Sequence, residues 1–168
     1  MAVIFIFLAV FISFTASLWL GDFGIYLPLA VWTVFCAGNT FGISRGLIAA
    51  VMAATFSGLI YQRGVCGFIE PFTALIFFIP VPGVTLRVTS ATRSWMPGAC
   101  IGAAACALLF FSAMIPGHIA DAGRWINALA NVMFCAMIGV FMLPLMLWNF
   151  SRAARKLGLD VRRPGDPL

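Results

Sequence analysis

One acidic side chain and a pair of amides are the residues of this chain best placed to do chemistry within its long apolar segments. Glu70 is the carboxylate inside an apolar run, and an ionisable group at membrane depth marks a candidate functional site. Asn127 and Asn131 are four residues apart and so share one face of a helix. These three residues form a candidate intramembrane polar site, which either lines a ligand cavity or bonds neighbouring helices. Alternatively, Glu70 has a structural role and forms an ion pair with Arg63.

Patterns that support catalysis or metal binding are absent from the sequence. It has no nucleophile elbow, no HExxH, no Walker loop and no paired carboxylates of the kind that acid–base chemistry requires. The five cysteines lie in or beside apolar runs, form no CxxC pair and have no histidine at metal-ligand spacing. We therefore expect a protein that is not an enzyme and has no cofactor, with cysteines that serve as small packing residues.

The amino-acid composition is typical of a membrane protein. Of its 168 residues, 63% are hydrophobic and 9% are charged, with a mean hydropathy of +1.09. Soluble domains are roughly 45–50% apolar and about 25% charged, and a globule of this size leaves a large part of its surface in water. Such a chain cannot hide this much apolar surface in water, so the sequence predicts an integral membrane protein.

Six apolar stretches have about the length that a transmembrane helix requires, roughly 17–25 residues. Since backbone groups in lipid must bond internally, we expect an all-α, polytopic membrane helix bundle over residues 1–150, followed by a short basic cytoplasmic tail over 151–168. If the second and third stretches form a re-entrant hairpin, the number of crossings falls. The predicted spans are Ala2–Leu20, Gly24–Phe41, Ile43–Tyr61, Gly67–Leu86, Trp95–Ile115 and Trp125–Trp148.

The distribution of Lys and Arg predicts the orientation. With both termini inside, eight of the ten basic residues lie on the cytoplasmic side, which leaves Arg63 and Arg124 outside. Arg152, Arg155 and Lys156 follow the last span directly and are predicted to form a basic anchor against anionic membrane lipid. No extended basic surface of the kind that nucleic acid requires is present, so nucleic acid is not an expected partner.

Small residues at fixed spacing suggest close helix contacts. Gly42 and Gly46 form one GxxxG pattern, and Gly98 and Gly102 form another. Such spacing lets two helix backbones approach closely in a membrane. These glycines are therefore candidates for packing within the bundle or for docking a partner helix.

Gly46-Leu47, Gly58-Leu59-Ile60 and the Gly64/Gly67 pair recur through the segment from Pro28 to Phe68. This segment resembles the MreD family of bacterial rod-shape-determining membrane proteins, in which a span after a Pro is followed by a Gly-rich span and then by a short loop with a further Gly. The resemblance adds Gly58 to the candidate docking residues. Towards the other end, Asn131, Pro144 and the basic tail also resemble the family. Tyr61-Gln62 stands where the family usually has an Asp.

The resemblance implies a non-catalytic scaffold or adaptor of the cell-elongation machinery in the bacterial cytoplasmic (inner) membrane. MreD proteins act in cell shape and peptidoglycan synthesis with the single-span MreC and the actin-like MreB, near the RodA–penicillin-binding-protein synthase. The implied partners are membrane lipid, a single-span MreC-like protein and this complex. An alternative function is the substrate-binding membrane subunit of an energy-coupling-factor importer for a vitamin or metal ion, with Glu70, Asn127 and Asn131 converging on a cavity.

Overall fold

The regular structure of the chain is helical. A computed structural model describes residues 1–23, 25–61, 68–78, 95–114 and 122–161, and these ranges contain helices and no strand. The expected all-α fold class is confirmed over this part of the chain. The helices are α1 (Ala2–Asp22), α2 (Leu29–Phe41), α3 (Ile43–Tyr61), a 3-10 helix (Glu70–Phe78), α4 (Trp95–Met114) and α5 (Ala122–Lys156).

Helix α2 forms the centre of the bundle. Twelve of its thirteen residues are buried, and Trp32 and Phe35 are its largest buried side chains. A helix that is apolar on every side is expected to be surrounded by other elements. Here α1, α3, α4, α5 and the 3-10 helix all contact it.

The second predicted span is shorter than expected. Helix α2 begins at Leu29, not at Gly24, because Pro28 disfavours helical backbone at the residue before it. Its 13 residues rise about 20 Å, which is less than the roughly 30 Å of the hydrocarbon core. Gly42 then turns the chain with φ of 97°, a conformation that favours glycine, and α3 starts at the next residue. The second and third spans therefore form a tight helical hairpin.

The fourth predicted span also differs from the expectation. The sequence predicts an α-helix over Gly67–Leu86, but the described part of this segment contains a nine-residue 3-10 helix, Glu70–Phe78. It packs on α2, α3 and α4, and the centroid of the Phe78 ring lies 5.2 Å from that of the Phe35 ring of α2, with the two rings tilted by 34°. Since a 3-10 helix rises about 2 Å per residue, this element is about 18 Å long.

Among the described residues, two helical segments are long and apolar enough to cross a membrane on their own, namely α1 and the Trp125–Lys156 part of α5. Three shorter apolar stretches lie in α2, α3 and α4. Most of the two long segments is exposed, unlike the core helix of a soluble protein, which indicates a membrane protein. Helix α5 continues to Lys156, past the expected start of the tail at residue 151.

Three aromatic rings join distant parts of the chain at one end of the bundle. The Phe5 ring of α1 lies 4.9 Å from that of Phe150 in α5 and 6.1 Å from that of Phe41 in α2. The Phe41 and Phe150 rings are 5.9 Å apart. The start of α1, the end of α2 and the end of α5 therefore lie together.

Candidate functional site

Glu70 lies inside the bundle at the first residue of the 3-10 helix. Its side chain is 5% exposed, and its Oε1 accepts a short hydrogen bond from the Tyr26 hydroxyl. The carbonyl of Glu70 accepts a second bond, of 2.7 Å, from the Thr73 hydroxyl one turn later. The carboxylate thus links the 3-10 helix to the connection between α1 and α2. Arg63, the expected partner, lies outside the described residues.

Two thiols extend this polar cluster to α4 and α5. The Cys135 thiol donates to the Tyr26 carbonyl at 3.3 Å, and the Cys106 side chain of α4 lies beside it. Both side chains are almost fully buried. Tyr26, Cys106 and Cys135 were not predicted as site residues, because nothing in their spacing distinguishes them from ordinary packing residues.

A small cavity adjoins the carboxylate. It measures about 20 Å³, and its polar lining comes from Ser17, Tyr26, Ser57 and Glu70. The Ser17 hydroxyl is held by the carbonyls of Ser13 and Leu27, each at 3.0 Å. A space of this volume holds about one water molecule. This cavity therefore has no room for an organic solute.

The two amides lie elsewhere. Asn127 and Asn131 are both exposed, on the side of α5 that faces away from the bundle. Leu143 marks the buried side of the same helix, and Cys135, one turn after Asn131, lies at the edge of that side. The structure therefore does not bring Glu70, Asn127 and Asn131 together, and the predicted convergence on one cavity is wrong for the part of the chain that the structure describes.

The glycines of the second GxxxG pattern lie against α5. A Cβ placed on Gly98 would lie 2.1 Å from the Gly139 carbonyl oxygen, and one on Gly102 would lie 2.5 Å from the Cys135 carbonyl oxygen. The Trp32 ring closes the same contact, 3.2 Å from a Cβ placed on Gly139. Helices α4 and α5 therefore cross with their backbones in direct contact, beside the fully buried indole ring of Trp32.

The remaining candidate glycines have different surroundings. A Cβ on Gly46 would lie 2.8 Å from the Gly38 Cα, so Gly46 closes the hairpin between α2 and α3. Gly42 supplies the turn of that hairpin and has open space beside it. Gly58 also has nothing within 4 Å and is exposed on α3.

The residues of the predicted basic anchor lie in the last turns of helix α5. Arg152 lies over the Trp148 ring at 5.0 Å, Arg155 donates from Nε to the Ser151 carbonyl at 3.2 Å, and Lys156 is exposed. Arg162 and Arg163 lie outside the described residues.

The chain turns back after this anchor in a Schellman motif. Gly158 has φ of 66°, and the Leu159 amide donates to the Ala154 carbonyl. Leu159 packs against the core, so the end of α5 is fastened to the bundle.

Within the described residues, no group of three or more His, Cys, Asp or Glu side chains could hold a metal ion. The chain matches no protein-family model, no curated protein and no solved structure. The site therefore has to be interpreted from its own geometry, which is a closed, hydrogen-bonded polar cluster inside an otherwise apolar bundle.

Proposed function

We propose that this chain is a non-catalytic scaffold of the bacterial cell-elongation machinery, a multi-pass protein of the inner membrane that docks partner transmembrane helices. The observation that carries the proposal is the contrast between its interior and its sides. The described interior has space for about one water molecule beside Glu70, whereas large apolar side chains cover the outside. Within the described residues the bundle offers surfaces for helices, and the cavity beside Glu70 is too small for an organic solute.

The lateral face of α3 is the surface that suits a partner helix. Leu47, Val51 and Leu59 are 49%, 48% and 73% exposed on it. Gly58, on the same helix, has open space where a Cβ would stand. Small residues beside large apolar ones let a second helix approach closely in lipid. The resemblance to MreD proteins supports a single-span, MreC-like protein as the occupant.

The proposed topology has six crossings with both termini in the cytoplasm. The contact of Phe5 with Phe150 supports it, since the first turn of α1 and the last turns of α5 share one end of the bundle. An even number of crossings is required for this arrangement. The short α2 and the 3-10 helix would then cross a locally thinned region, surrounded by the longer helices.

Depletion of the protein in its own bacterium, combined with co-purification, tests the function. We expect rounded cells, reduced insertion of new peptidoglycan along the side wall, and recovery of a single-span membrane protein with the tagged chain. A matched pair of variants locates the docking face. Gly58→Leu fills the open position on α3 and should abolish co-purification, while Phe11→Leu, on the exposed side of α1, should not.

Normal cell shape on depletion, with no co-purified single-span protein, would contradict the scaffold. A vitamin- or metal-ion-dependent rise in melting temperature would instead favour the importer subunit. Ligand at a hundredfold excess over its Kd stabilises a protein by about 2.7 kcal/mol, which a thermal-shift measurement detects.

A further inference from the structure

Ser57 of α3 carries a buried hydroxyl that forms no hydrogen bond within the described part of the chain. Its side chain is 7% exposed and lines the cavity beside Glu70. By contrast, the Thr33 and Thr55 hydroxyls each bond the carbonyl four residues earlier in their own helix. A buried hydroxyl without a partner is costly, so the Ser57 hydroxyl requires a partner from the cavity that it lines.

The cavity has the size and the lining of a site for one water molecule. Its volume is about 20 Å³. A buried water needs roughly 10–15 Å³ of such space and two to four polar partners. Ser17 of α1, Ser57 of α3 and Glu70 of the 3-10 helix supply polar groups from three different elements, together with Tyr26. The space is therefore large enough and polar enough for a water.

The hydrogen-bonding capacity of these groups also matches one water. The Ser17 hydroxyl donates its proton to backbone carbonyls, so its Oγ keeps lone pairs that can accept. A carboxylate accepts up to about four hydrogen bonds, so Glu70 can accept others besides the one from Tyr26. A water that accepts from Ser57 and donates to Ser17 and Glu70 makes about three bonds, the usual number for a buried water.

We propose that this cavity binds one structural water molecule, which bridges α1, α3 and the 3-10 helix. The water connects the Ser57 hydroxyl to the polar cluster around Glu70. A metal cation is the other occupant that suits an oxygen-lined space of this size. A cation would use the lone pairs of Ser57 and leave its proton without an acceptor, whereas a water accepts that proton. The chemistry of Ser57 therefore favours water.

The site lies behind the turn of α3 that carries Gly58, the exposed position offered to a partner helix. The water is a property of the folded chain and does not rest on the proposed function. The two can fail separately. Depletion that leaves cell shape unchanged would refute the scaffold alone, and a cavity without water would refute this inference alone.

The sign of one substitution separates a hydrated cavity from a dry one. If water accepts the Ser57 proton, Ser57→Ala removes one bond of the bridge and should lower the equilibrium constant for folding about fivefold. In a dry cavity the same change removes a buried hydroxyl that has no partner, and the constant should rise. Reversible unfolding of the purified full chain in detergent micelles measures the constant.

Ser151→Ala is the matched control. The Ser151 hydroxyl bonds the Trp148 carbonyl of its own helix at 3.0 Å, away from the cavity, so its loss should change the constant by less than about twofold. The comparison also accounts for the higher helix propensity of alanine. A constant for Ser57→Ala that equals or exceeds that of the control would overturn the proposal.

Two measurements on the parent chain identify the occupant. A crystal structure from a lipidic mesophase should show one density peak about 2.6–3.2 Å from the Ser57 Oγ, the Ser17 Oγ and a Glu70 carboxylate oxygen. The melting temperature should be the same in sodium chloride and in choline chloride of equal concentration. A site without density, or a sodium-dependent rise in melting temperature that Ser57→Ala abolishes, would overturn the proposal.

Discussion

The Tyr26 hydroxyl donates a hydrogen bond to the Glu70 carboxylate, 44 residues further along the chain. This bond joins the connection between α1 and α2 to the first residue of the 3-10 helix. Cys135 of α5 donates to the Tyr26 carbonyl, so one residue organises contacts from three parts of the fold. Tyr26 therefore has a structural importance that its place in a short connection does not suggest.

Removal of the Tyr26 hydroxyl should destabilise the bundle. We expect Tyr26→Phe to lower the free energy of unfolding by about 1–3 kcal/mol, because a buried acceptor loses its donor. Thr55→Val is a matched control, since the Thr55 hydroxyl bonds only the Val51 carbonyl of its own helix and is exposed. Unfolding in detergent micelles, followed by the fluorescence of the buried Trp32, measures both variants. Equal effects of the two substitutions would contradict a special role for Tyr26.

The contact between α4 and α5 predicts a contrast between two glycines. Gly98→Ala should destabilise the protein by about 1–3 kcal/mol, because its methyl group would lie 2.1 Å from the Gly139 carbonyl oxygen and the helices must separate. Gly58→Ala meets nothing within 4 Å and should stabilise α3 by about 0.5–1 kcal/mol through its higher helix propensity. Thermal unfolding of both variants in the same detergent provides the comparison. A neutral Gly98→Ala would show that the two helices do not approach this closely.

The all-α class and the long helices α1 and α5 were predictable from the sequence, because an uninterrupted apolar run of this length can adopt few structures other than a long helix. It did not predict the shortness of α2, although Pro28 carries the signal that delays the start of that helix. The 3-10 helix at Glu70 had no recognisable signature, since periods of 3.0 and 3.6 residues are not distinguishable over nine residues that are mostly apolar.

The candidate site was predictable only in part. Glu70 stands out because a carboxylate among apolar residues is rare, and the structure buries it. Its partners depend on tertiary contacts between residues far apart in the chain, which composition and spacing do not encode. Asn127 and Asn131 were correctly assigned to one helix face, yet the direction of that face depends on where α4 packs.

The five tryptophans provide a test of the lipid-facing surface. Trp32 is fully buried, whereas Trp19 and Trp148 are 64% and 48% exposed. In variants that keep a single tryptophan, brominated phospholipid should quench Trp19 and Trp148 strongly and Trp32 weakly. Fluorescence of the reconstituted protein measures this difference. Strong quenching of Trp32 would show that lipid reaches the centre of the bundle.

The proposal of a membrane bundle with both termini on one side is tested most directly by the accessibility of epitope tags. Three variants carry a tag before Met1, after Leu168 or within the connection between α4 and α5. In right-side-out vesicles the account predicts that the two terminal tags resist external protease until the membrane is opened, while the tag between α4 and α5 is cleaved at once. Cleavage of one terminal tag and protection of the other would require an odd number of crossings and would contradict the account.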